Sequence, residues 1–195
     1  MTRFAKTGAW GRMLVLSSVL LVVGCGDGNY KLSSDSWGEP SRAGLLADLE
    51  GSVVELARLS SRCTEERLDG LIVLVGSHME FPAETVTTLN SRCAGALQVE
   101  IEIDLEGRSI LYDFSNVVTA GRFPDADFEG FTLTEIFHVV AAFRGARIDR
   151  DASTMDLPDE AISVEAHSLL VNLADMEFDA DSFLKIDLLL GPAPE

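Results

Sequence analysis

The chain has 195 residues, of which 32 are acidic and 15 basic, a formal charge of −17 near neutral pH. That balance excludes a protein that grips nucleic acid by neutralising phosphates, since such binding depends on clustered Lys and Arg. The 47% apolar content excludes acidic disorder, which has too little hydrophobicity to fold.

The first segment carries Arg3, Lys6 and Arg12, with no acid before Asp27, followed by the apolar run Met13 to Gly24. A helix needs about twenty apolar residues to span a bilayer, so this run is too short for an ordinary transmembrane anchor. A basic start followed by a short apolar stretch is the pattern of a secretory signal peptide. Its end, Val22-Val23-Gly24-Cys25, resembles the lipobox of bacterial lipoproteins, in which a small residue precedes an obligatory cysteine. The resemblance implies cleavage after Gly24 and a diacylglycerol on the Cys25 thiol. Further acylation, palmitate among the usual chains, meets the need for more than one lipid signal in stable anchoring. It implies a cell-envelope location. By the enteric sorting rule, Gly26 after the lipidated cysteine favours the outer over the inner membrane. The resemblance covers about the first 25 residues and is silent on the domain beyond.

Residues 1–24 are therefore expected to be a signal peptide and 25–40 a flexible polar tether rich in Gly, Ser, Asp and Asn. Residues 41–195 are expected to form a single β-rich domain. Removing the signal leaves 171 residues with 12 basic and 32 acidic side chains, a formal charge of −20. This length suffices for a real hydrophobic core.

In chain order, Ser41 to Leu59 spaces Leu46, Leu49, Val53 and Leu56 as on a helix, although Gly51 and Val53-Val54 favour a strand instead. Gly70 to Gly76 is a short apolar run suited to a buried strand. Residues 96–104 alternate apolar Leu97, Val99, Ile101 and Ile103 with polar residues. A turn at Glu106-Gly107 returns the chain as a hairpin with one wet face. Residues 131–137 and the stretch around Phe143 continue the sheet, with a helix over 134–144 as the alternative. Residues 162–173 and 182–190 close the domain as strands. Strands separated by turns, with little helix between, predict a mainly β fold, an antiparallel β-sandwich with at most one N-terminal helix. A β-barrel or an α+β domain is the alternative.

Cys63 and Cys93, in the similar contexts LSSRC and LNSRC, form an even pair in an exported chain and are expected to be disulfide-bonded. The sequence holds no G-x-S-x-G, H-E-x-x-H, P-loop or dinucleotide fingerprint. His78, His138 and His167 are distant in sequence. His78 reads as loop, His138 as a partly buried residue and His167 as a sheet-face residue. With 32 carboxylates, close acidic pairs are inevitable and do not argue for a glycosidase.

The most suggestive acidic pattern begins at Asp125. Asp125, Asp127 and Glu129 with Gly130 match the start of an EF-hand loop, but the twelfth position is Ile136 and the glutamate falls one place early at Glu135. A simpler calcium site on a loop is the remaining candidate, with Asp125, Asp127 and Glu129 as ligands. Turn residues on a solvated acidic surface are the competing account. Asp149-x-Asp151 and Asp179-x-Asp181 repeat the theme. The expectation is a non-catalytic, membrane-anchored lipoprotein that contacts an envelope protein or polymer. The alternatives are an envelope hydrolase with dispersed His and carboxylate residues, decided by whether a histidine lies near a Ser or Asp, and a secreted adhesin or inhibitor.

Overall fold

The computed structural model describes residues 45–63, 70–91 and 97–191. The expected signal peptide (1–24) and tether (25–40), with Cys25 and Trp37, and Cys93 lie outside these residues. The fold is mainly β, with antiparallel sheets packed on each other and one short helix, as the alternating segments predict.

The strands are β1 (Val53–Ser60), β2 (Leu71–Leu74), β3 (Glu102–Glu106), β4 (Ser109–Asp113), β5 (Gly121–Arg122), β6 (Glu129–Glu135), β7 (Phe143–Ile148), β8 (Ile162–Glu165), β9 (Ser168–Asn172), β10 (Glu177–Phe178) and β11 (Phe183–Leu190). One sheet has the order β2-β1-β6-β9-β8 and the other β3-β4-β11-β7, with β10-β5 as a small ribbon. Within these sheets every strand pair is antiparallel.

Each sheet turns one face inward because its residues alternate. Val54 and Leu56 of β1, Phe131 and Leu133 of β6, and Leu169 and Val171 of β9 face Ile103 and Leu105 of β3, Ile110 and Tyr112 of β4, and Leu184, Ile186 and Leu188 of β11; all are buried. Burial pushes the Tyr112 phenol far above its ordinary pKa. The β3–β4 hairpin closes on Gly107-Arg108, with Glu106 opposite Ser109. Gly107 sits at φ +60°, which an L side chain adopts only with strain. On β6, Gly130 lies so close to β9 that an added Cβ would run into the Val171 carbonyl.

Three expectations are corrected in detail. The stretch that could be an N-terminal helix is instead a turn through Glu50-Gly51 followed by β1. The run 70–76 is not a buried strand: β2 is an edge strand with Ile72 and Leu74 exposed. The helix lies elsewhere, at α1 (Ala83–Ser91). Pro82 opens α1, where its missing N–H costs nothing, and its carbonyl accepts bonds from the Thr85 and Val86 N–H groups. Val86, Leu89 and Asn90 form the buried stripe, and Asn90 Nδ2 donates to the Val99 carbonyl at 3.1 Å.

The strand directions give the sandwich two distinct ends. At the entry end, the Leu46 N–H donates to the Val139 carbonyl (2.8 Å), Leu49 to Gly107 (2.8 Å) and Gly191 to Ala142 (3.0 Å). At the far end lie Ser60, Glu129, Asn172, Asp113 and Phe183, the opposite termini of the same strands. There Phe114, Phe123 and Phe178 pack with ring centroids 5.0–6.3 Å apart.

Candidate functional site

Strand β6 places a glutamate on the inward face at each of its ends, and both are fully buried. At the far end, register sets Ser60 directly opposite Glu129 and Arg58 opposite Phe131. Arg58 Nη2 and Ser60 Oγ both donate to the Glu129 carboxylate. Arg58 Nη1 donates to the carbonyls of Leu59 (2.9 Å) and Gly130 (2.6 Å), and its guanidinium lies 5.0 Å from the Phe131 ring centroid. Arg58 Nε has no hydrogen-bond partner. Burial pushes the guanidinium below its ordinary pKa, with Glu129 opposing. A charge pair so enclosed has no route to substrate; its chemistry is that of a structural polar core.

At the entry end, Glu135 accepts the Phe137 N–H through Oε1 at 3.0 Å, while Oε2 faces His167 Nδ1 at 3.5 Å. That separation exceeds a normal hydrogen bond, and both atoms are buried without a hydrogen-bond partner. The His138 ring stacks on His167, centroids 4.0 Å apart and planes 12° from parallel. His138 holds φ 56°, a left-handed conformation uncommon for non-glycine residues, though histidine adopts it more readily than most. Burial lowers the His167 pKa, the neighbouring His138 adds to the effect, and Glu135 works against it.

The structure therefore brings two of the three histidines together, around a glutamate rather than a Ser or Asp. His167 was expected on a sheet face and lies instead in the β8–β9 turn, since Glu165 pairs with Ser168 across Ala166-His167. The nearby hydroxyls of Thr134 and Ser168 bond each other at 3.0 Å, on strand positions alternate to the buried ones. Among the described residues, neither ring hydrogen-bonds a hydroxyl or thiol. His138 is exposed rather than partly buried, and His78 is exposed in a loop.

Two adjoining concavities lie at the far end, and smaller ones lie along residues 147–151 and beside Thr134, Glu165 and Ser168. A groove of about 340 Å³ runs between Thr87 of α1, Leu97 to Glu100 before β3, Val117 to Gly121 and Phe178. It adjoins a more polar hollow that shares Ala120, Gly121 and Phe178 and adds Arg122, Glu177, Asp179 and Ser182. Arg122 is held there by Asp175 (2.9 Å) and Glu177 (3.3 Å), so the cation is already matched.

The calcium candidates are not gathered. Asp125 and Asp127 are exposed, whereas Glu129 points inward to Arg58 and Ser60. Alternation explains this: Glu129 is the first residue of β6, not part of the loop before it. Among the described residues, no group of three or more His, Cys, Asp or Glu side chains is arranged to hold a metal ion. Asp179 Oδ1 caps its own turn, accepting from the Asp181 N–H and the Ser182 hydroxyl, and Asp149 pairs with Lys185 at 3.0 Å. Cys63 follows the end of β1 and its sulfur is disulfide-bonded; Cys93 lies outside the described residues. The Glu129 and Glu135 sites escaped the sequence reading, although strict alternation through E-G-F-T-L-T-E with Phe131 and Leu133 inward puts both glutamates on the apolar face.

The chain matches no protein-family model, no curated protein and no solved structure. Function therefore rests on the residues alone.

Proposed function

We propose that this chain is an envelope lipoprotein, acylated at Cys25, whose β-sandwich is a non-catalytic binding domain. The observation that carries this reading is the polarity of the fold. The polypeptide enters at Leu45-Leu46, beside Val139 and Gly107, and the grooves around Phe178 lie at the opposite end. A domain tethered through its N-terminus would present these two grooves away from the lipid. The groove offers Leu97, Val99, Val117 and Phe178 beside the Thr87, Gln98 and Thr119 side chains. That mixture suits a segment of an envelope protein or polymer with apolar and hydrogen-bonding groups.

No helix among the described residues is long and apolar enough to cross a membrane, so in this reading attachment falls to the lipid on Cys25. The bonded sulfur of Cys63 is assigned to Cys93, because Cys25 is committed to its lipid. Membrane fractionation tests the anchor. Cys25→Ala should move the protein from the membrane to the soluble fraction, and unchanged membrane association would overturn the lipoprotein reading.

A further inference from the structure

We propose that the entry end of the sandwich rests on the surface of the lipid bilayer, with Phe137, Val139 and Leu45 as the contacting side chains. The proposal rests on the lipoprotein reading and adds a docked orientation to it.

The first observation is where exposed apolar groups occur. Phe137 is 66% exposed, Leu74 67%, Leu45 41% and Val139 38%, and these four gather at the entry end; Ile72, Met79, Leu189 and Val118 are exposed as well, Val118 lying at the far end. Leu46 is bonded to Val139 and bridged to Val140. The Ile136 N–H donates to the Val53 carbonyl, and Val53 pairs with Leu74. Phe81, Phe114, Phe123, Phe131, Phe143 and Phe178 are buried and Phe128 and Phe183 partly so, which leaves Phe137 as the one exposed phenylalanine among the described residues.

The second observation is that the exposure is built in. Glu135 holds the Phe137 N–H, His138 takes a positive φ and stacks on His167, and the Val139 carbonyl is tied to Leu46. The loop backbone is thereby fixed with Phe137 and Val139 outward rather than folded onto the core. The third is charge. Residues 136–148 contain no carboxylate, in a chain with 32, and include Arg144 and Arg147. Asp48, Glu50, Glu106 and Glu165 share this end. That mixture suits zwitterionic headgroups better than strongly anionic ones.

The occupant follows from the chain leading into this end. Nineteen residues separate Cys25 from Leu45, and a flexible linker of that length would span about 25 Å. A lipid on Cys25 therefore keeps the entry end close to the bilayer at an effective concentration of about the millimolar range. A small apolar contact, too weak to bind lipid on its own, becomes populated under that constraint. The far-end groove is then directed outward.

The test uses the full acylated protein floated with zwitterionic phosphatidylethanolamine–phosphatidylcholine vesicles. In a Trp37→Phe background, which removes the one tryptophan of the mature chain, a reporter is placed by Phe137→Trp, by Val139→Trp, or at the opposite end by Val118→Trp. Lipids brominated in the upper acyl chain serve as quenchers. The expected result is a blue shift and loss of emission for the 137 and 139 reporters, with the 118 reporter unchanged. Floated protein in which the 137 and 139 reporters stay unquenched, or in which all three are quenched alike, overturns the docked orientation and leaves the anchor standing; the apolar end then belongs to a protein partner. Acylated protein that fails to float overturns the lipoprotein reading itself.

Discussion

Glu129→Gln removes one charge from a site that has no solvent to replace it. Arg58 is 1% exposed and Glu129 fully buried, and the guanidinium already has one unpartnered nitrogen, Nε. The neutral amide keeps the shape and one acceptor oxygen, but it replaces the other oxygen with an NH2 donor and leaves the cation without a counter-charge, beside the Leu59 and Gly130 carbonyls. Stranding one partner of a buried pair costs about 3–5 kcal/mol, a large share of the 5–15 kcal/mol that holds a typical domain together. For a domain of this size that corresponds to a fall in Tm of roughly 6–20 °C. The double variant Arg58→Met/Glu129→Leu replaces both charges with apolar groups of similar reach and should regain part of the loss. The Ser60 hydroxyl loses its acceptor, and the Leu59 and Gly130 carbonyls lose the guanidinium donor, each such buried group costing about 1–3 kcal/mol where it finds no other partner. Urea unfolding at constant m-value reads both variants. The reasoning is refuted if Glu129→Gln costs less than about 1 kcal/mol, or if the double variant is less stable than the single.

Two further outcomes can be measured. Burial depresses the folded-state pKa of His167, so the folded chain binds fewer protons there than the unfolded one. Stability is fully present above the ordinary histidine pKa of about 6.5 and is lost as pH falls through the depressed value. Wild type should lose more Tm than His167→Gln between pH 7.5 and pH 5, and parallel curves would refute the contribution of the Glu135–His167–His138 cluster. If Cys63 is paired with Cys93, the native protein resists thiol labelling until reduced, and loss of the bond costs about 3–4 kcal/mol for a loop of this length in the chain-entropy account; prompt labelling without reductant would refute the pairing.

The sequence by itself determined the class of fold and most of its strands. Period-two alternation in 96–104 and 182–190 leaves only one way to bury the apolar half. The hairpin expected at Glu106-Gly107 closes one residue later, on Gly107-Arg108, where Gly107 takes a positive φ. The run 162–173 is two strands, because its apolar parity switches across the Ala166-His167 turn. Helix α1 was not legible, since Ala83–Ser91 offers only Val86 and Leu89 as apolar contacts among β-branched threonines. Packing against β3 and the Asn90–Val99 bond supply what local propensity lacks. The edge position of β2 was equally invisible, because an apolar run reads the same whether one side or both are covered. The acidic pattern at Asp125 is a one-dimensional match. Which carboxylate turns inward depends on the register of β6 against β1, and that register gives Glu129 to Arg58 and Ser60. Residues distant in sequence, such as Glu135 and His167 or Leu46 and Val139, meet only once the sheets have paired. Tertiary structure alone thus decided the buried charge pairs, the histidine stack and the two unlike ends of the sandwich, because each depends on strand order and direction, which local periodicity does not encode.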